Sequence, residues 1–246
     1  MREVWRMWNY ATMLVLTVLT ASLFAAILIP FKGIPLIPGV TELRPANVIP
    51  VVFGLLFGPA GAWGAAFGNL IGDFFGTLGI GSLFGFWGNF LAAYLPYKMW
   101  QDRPLSQLSQ HLPRFFGAVL LGALSCALVV GFGLETFKLL PFSVIAVAVL
   151  VNNGLVPLVL GPLLLGLLAP RVSRWDLAWR DQMDPEDCPV GAAPRLGLIL
   201  AWLGAGGGFL TGLALGLGLV SLPGKPPLEL ALVPFVALLS VGCLLL

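Results

Sequence analysis

Gly64-Ala-Ala-Phe-Gly-Asn-Leu-Ile-Gly-Asp-Phe-Phe-Gly76 sets a glycine at every fourth position of an apolar run, with Asn69 and Asp73 one turn apart between them. A period of four puts Gly64, Gly68, Gly72 and Gly76 on one helical stripe, where a neighbouring backbone can approach closely. The remaining positions leave no wet face. The stretch therefore predicts a helix buried in a membrane, packed tightly on one side and carrying two polar groups that need a reason to be there.

Outward from this run the chain keeps the same character. Of its 246 residues 59% are hydrophobic and only 10% are charged, against roughly 25% charged in soluble domains. The fold class is an all-α membrane protein. Apolar segments occupy residues 8–30, 46–57, 60–78, 83–99, 115–134, 142–168, 196–222 and 228–246. The first is longer than a signal peptide's apolar core and ends in Pro30-Phe-Lys32 without a small-residue cleavage site, so it is expected to remain as a span. A second stripe, Gly204, Gly208, Gly212 and Gly216, predicts close packing near the C-terminus. With the N-terminus inside, Arg2, Arg6, Lys98, Arg103, Arg114, Arg171, Arg174, Arg180 and Arg195 fall on the inner side. Lys32, Arg44, Lys138 and Lys225 fall outside. Both termini are expected in the cytoplasm, with Trp5, Trp8, Trp100 and Trp202 at the inner border.

Several functions are excluded. A net charge of +2 offers no footprint for nucleic acid. Cys126 and Cys243 lie in apolar runs and Cys188 lies alone in a loop, so there is no disulfide framework. His111 is the single histidine, which leaves a metal site or a serine–histidine pair without parts. No GxxxxGK[ST] loop occurs, so ATP hydrolysis would need a partner, and no cofactor is expected.

The polar groups inside the spans carry the functional signal, because ionisable residues there are costly and usually face a cavity or a partner. Asn69 and Asp73 are joined by Asn89, by Glu135 and Lys138 at the end of the fifth segment, and by Asn152 and Asn153 in the sixth. Glu42, Arg44 and Asn47 stand at the head of the short second segment. On the orientation above, all lie between the bilayer middle and the outer surface. With Phe74, Phe75, Phe86 and Trp87 as aromatic walls, they suit a pocket open to the outside that holds a polar small molecule. Half-length segments with Pro/Gly breaks point the same way. Two other readings stay open: amides bonded to neighbouring backbones as interhelical glue, and Asp73 with Arg44 as a structural ion pair. A further alternative is a proton- or cation-coupled transporter or channel that relays through Asp73 and Glu135, and a less favoured one is a scaffold subunit.

Thr41-Glu-Leu-Arg-Pro-Ala-Asn-Val-Ile-Pro50 and Phe57-Gly-Pro-Ala-Gly-Ala-Trp-Gly-Ala-Ala-Phe-Gly-Asn-Leu-Ile-Gly-Asp73 resemble the S components, the substrate-binding subunits, of energy-coupling factor transporters. The resemblance implies a six-helix bundle over residues 1–170 in the cytoplasmic membrane of a prokaryote. It implies capture of a vitamin or related micronutrient near the outer face, and no enzymatic activity in this chain. It also implies a complex with a transmembrane T component and two ATPase subunits, with Ala21 and Ala25 as an AxxxA-type patch for the T component. Residues 171–195 are then a cytoplasmic loop whose first half is either a short interfacial helix or a mixed-charge linker. Residues 196–246 form a two-helix hairpin beyond the family's pattern. The residues expected to contact cargo are Arg44, Asn47, Asn69, Asp73, Trp87, Asn89, Glu135, Asn152 and Asn153. A flavin, a pterin, a deazapurine or an amino-acid-like molecule suits such groups.

Overall fold

The computed structural model describes the chain apart from residues 38–40, 43, 101–103, 190, 222 and 225 and the side chains of 35–37, 41, 106 and 107. Arg103 and Lys225, both used in the charge asymmetry, and Leu43 of the quoted motif lie outside the described residues.

A short helix α1 (Arg2–Arg6) and a 3-10 turn (Met7–Asn9) lead into α2 (Ala11–Phe31). An antiparallel ribbon of β1 (Pro35–Ile37) and β2 (Thr41–Glu42) and a second 3-10 turn (Pro45–Asn47) precede α3 (Val48–Phe57). Then come α4 (Pro59–Asp73), α5 (Ile80–Trp100), α6 (Leu112–Thr136) and α7 (Phe142–Arg174). A π turn (Leu203–Gly207) joins α8 (Pro194–Trp202) to α9 (Gly208–Gly216), and α10 (Leu228–Leu245) follows.

Among the described residues, five helices are long and apolar enough to cross a membrane: Ala11–Phe31, Leu108–Thr136, Phe142–Arg174, Pro194–Gly216 and Leu228–Leu245. The other apolar segments are shorter or more polar. α3, with 10 residues, rises only about 15 Å against a hydrocarbon core of roughly 30 Å. α4 stops at Asp73 rather than running on to 78, because residues 74–77 form turns in which Gly76 takes a φ of +130°, a conformation open to glycine. The stretch after 170 holds no helix separate from α7 before Pro185. Arg171–Arg174 complete α7, and turns follow.

The glycine stripe of α4 is a packing device. Thr20, Phe24 and Leu28, one turn apart on α2, sit where Cβ atoms on Gly64, Gly68 and Gly72 would stand, and the Phe24 Cβ would lie 2.7 Å from the second of these. The second stripe works likewise: Gly204 faces the backbone of Leu239 on α10, and Gly212 faces the Phe142 ring. At the break between α3 and α4, Gly58 has a φ of +54° and the Trp179 ring lies against it.

The end of the bundle that carries both termini is held by a buried ion pair. Glu3 is 1% exposed, with its Oε1 2.6 Å from Lys98 Nζ, and it accepts a hydrogen bond from Tyr97 Oη at 3.3 Å. Burial pushes the Glu3 carboxyl up, but Lys98 beside it prevails and holds it below its ordinary value of 4.5. A carboxyl with a depressed native pKa contributes stability that is fully present above 4.5 and is lost as the pH falls through the lowered value. Lys98→Met is therefore expected to destabilise the protein by about 3 kcal/mol at neutral pH, and by less as the pH drops below 4.5. Thermal unfolding in detergent at two pH values checks this; an equal effect at both would contradict it.

Candidate functional site

At the opposite end, four stretches of the chain meet in one hydrogen-bonded network. Lys32, just past the end of α2, places its Nζ 3.7 Å from Asp73 Oδ1 and donates to Thr77 Oγ1 at 2.5 Å. Thr77 Oγ1 donates to Asp73 Oδ1 at 3.0 Å, and Asn69 Nδ2 donates to Asp73 Oδ2 at 3.2 Å. The Arg44 guanidinium donates to Asn69 Oδ1 at 3.4 Å, while the Arg44 backbone N–H donates to Asn152 Oδ1 at 3.4 Å. Asn152 Nδ2 in turn donates to the Glu42 carbonyl at 3.0 Å. Lys32 and Asp73 form the ion pair within this network. Burial draws the Lys32 ammonium below its ordinary value, against the opposing pull of Asp73.

Helix register brings further groups to the same layer. α3 and α5 run in the same direction, and a Cβ on Gly54 of α3 would lie 2.5 Å from the Ala93 carbonyl of α5. One turn back along each helix brings Pro50 beside Asn89; another turn brings Asn47 level with Gly85. Gly85 leaves room for the Asn69 amide, since a Cβ there would lie 2.9 Å from Asn69 Nδ2 and 4.0 Å from Asp73 Oδ2. Asn89 and Asn152 lie about 14–15 Å in from the starts of α5 and α7.

The layer is incompletely satisfied. Asn89 Nδ2 donates to the Gly85 carbonyl at 2.9 Å and Asn153 Nδ2 to the Val149 carbonyl at 3.1 Å. The Oδ1 atoms of Asn47, Asn89 and Asn153 and the Nε of Arg44 are buried without a hydrogen-bond partner among the described residues. Such groups cost about 1–3 kcal/mol each when left unpaired.

Other expected site residues lie apart from this layer. Glu135 accepts the Phe142 N–H at 2.8 Å and sits 3.6 Å from Lys138, which reaches Glu229 of α10 at 3.0 Å, so this cluster caps α7 and ties α10 down. Trp87 is 43% exposed and packs in a ring cluster with Trp63, Phe86 and Phe90. It opens on a groove of about 320 Å³ between α5 and α10. Phe74 and Phe75 are exposed. Ala21 and Ala25 are buried on the face of α2 that meets α4, while Leu14, Val15, Val18, Ser22 and Ala26 form the outward stripe. Lys32, Thr77 and Gly85 belong to the site without having been expected there; the signal was Lys32, a lone cation directly after the first span. Among the described residues no cluster of three or more His, Cys, Asp or Glu side chains could hold a metal.

Residues 14–170 match the family described as QueT transporter, a range that contains both quoted motifs and the whole polar layer, and the resemblance to S components is borne out by this match. Neither a curated protein nor a solved structure matches the chain.

Proposed function

The chain belongs to the QueT transporter family, and on that premise we propose that it is an S component that captures a queuosine precursor, a deazapurine, at the outer face of a prokaryotic cytoplasmic membrane. In this reading α2 to α7 form the six-helix capture bundle, α8 to α10 an added hairpin, and both termini face the cytoplasm. The observation that carries it is the layer of buried donors and acceptors shared by the stretch before α3 and by α4, α5 and α7, in which Arg44 Nε and three asparagine carbonyls have no hydrogen-bond partner among the described residues. Arg44, Asn69, Asp73 and Asn152 shape the site, and Asn47, Asn89 and Asn153 offer it acceptors. ATP hydrolysis belongs to partner subunits. If a T component docks along α2, it meets the stripe of Leu14, Val15, Val18, Ser22 and Ala26, since Ala21 and Ala25 are occupied by α4.

Reconstitution in vesicles tests this. The chain with its T component and ATPases is expected to accumulate a labelled queuosine precursor only with ATP. The chain alone is expected to bind it without transport. Uptake by the chain alone, driven by a pH gradient, would instead favour a coupled transporter.

A further inference from the structure

The unpartnered atoms of the polar layer differ in kind, and that difference bears on what the site selects. An i−4 backbone carbonyl can receive only the NH2 end of an asparagine side chain, so the bonds from Asn89 to Gly85 and from Asn153 to Val149 fix both amides with their oxygens free. Asn47 likewise has a buried, unengaged Oδ1. These three residues are 2%, 4% and 6% exposed for Asn47, Asn89 and Asn153, so bulk water does not reach them. Against the three acceptors stands one free donor, Arg44 Nε. Within the layer Lys32 and Asp73 form an ion pair.

Resting on the capture function proposed above, we infer that Asn47, Asn89 and Asn153 are specificity-determining acceptors, which select a heterocycle by the N–H groups that it presents. Amino and ring N–H donors fill the asparagine carbonyls, and one ring or carbonyl acceptor meets Arg44. A cargo of the same outline that lacks a donor leaves a buried carbonyl unpaired. Sites built to hydrogen-bond an N–H reject the analogue without it far more strongly than apolar pockets reject a change of size.

The test is a pair of probes that differ only in the exocyclic amine, 7-deazaguanine and 7-deazahypoxanthine, titrated calorimetrically against the purified chain in lipid nanodiscs. The wild type is expected to prefer the amino compound by about 100-fold. At least one of Asn47→Leu, Asn89→Leu and Asn153→Leu is expected to collapse that ratio toward one while still binding the deaminated compound, a readout that a merely structural loss would not give. Equal affinities in the wild type, or a ratio preserved in all three variants, would overturn the inference and leave the capture function standing. Binding of neither compound would overturn both.

Discussion

Asp73→Ala is expected to weaken deazapurine binding by on the order of 100-fold while the protein remains in the membrane, because truncating one member of a buried, hydrogen-bonded charge pair costs about 2–5 kcal/mol. Asp73 receives Asn69, Thr77 and the Lys32 ammonium at once. Without it, Asn69 loses the bond that orients its amide toward Arg44, and Lys32, with a side chain only 8% exposed, keeps a charge without its carboxylate. Asp73→Asn keeps an acceptor for Thr77 but loses the charge, so an intermediate affinity is expected. Calorimetry on the purified variants checks both, and wild-type affinity in Asp73→Ala would remove this residue from the site.

Gly54→Leu is expected to have the largest effect on the fold, and through the fold on the site. The α3–α5 contact at Gly54 is backbone against side chain position, with the Ala93 carbonyl 2.5 Å from where a Cβ would stand, so no flexible neighbour can give way. Overpacking a well-filled core costs about 1–3 kcal/mol, and a rigid backbone neighbour puts this case at the upper end. Moving α3 away from α5 also moves Asn47 away from the α5 face that carries Gly85 and Asn89, so ligand binding falls with thermal stability. Gly166 of α7, with nothing within 4 Å, supplies the control: Gly166→Leu is expected to leave both unchanged. A Gly54→Leu protein with wild-type melting temperature and affinity would contradict the register described here.

Much of this was legible in the sequence, and the parts that were not have physical reasons. The glycine period of α4 announced a close helix contact, and the one-turn spacing of Asn69 and Asp73 announced that both side chains share a face. Trp87 was grouped with the polar residues as an aromatic wall, yet two residues from Asn89 on a helix is a rotation of about 200°, which carries it to the ring cluster of Trp63, Phe86 and Phe90. The small pairs Ala21/Ala25 and Ser22/Ala26 are offset by one residue. Which pair faces inward depends on where α4 lies, and a single helix does not record that. Lys32 looked like an ordinary charge after a span; its folding back over Asp73 is a tertiary contact. Glu135 stood among apolar residues as Asp73 did, but its partner is the first backbone N–H of the next helix, Phe142. The Glu3–Lys98 pair joins residues too far apart in sequence for spacing to signal it.

The central claim is that the layer of Arg44, Asn69, Asp73 and Asn152 is where a small heterocycle is held. Gentle purification of the wild type and of an Arg44→Ala, Asp73→Ala double variant, followed by denaturation and mass spectrometry of what is released, tests it most directly. A deazapurine released from the wild type and missing from the variant is the predicted result. The same compound released in equal amount from both proteins would contradict it.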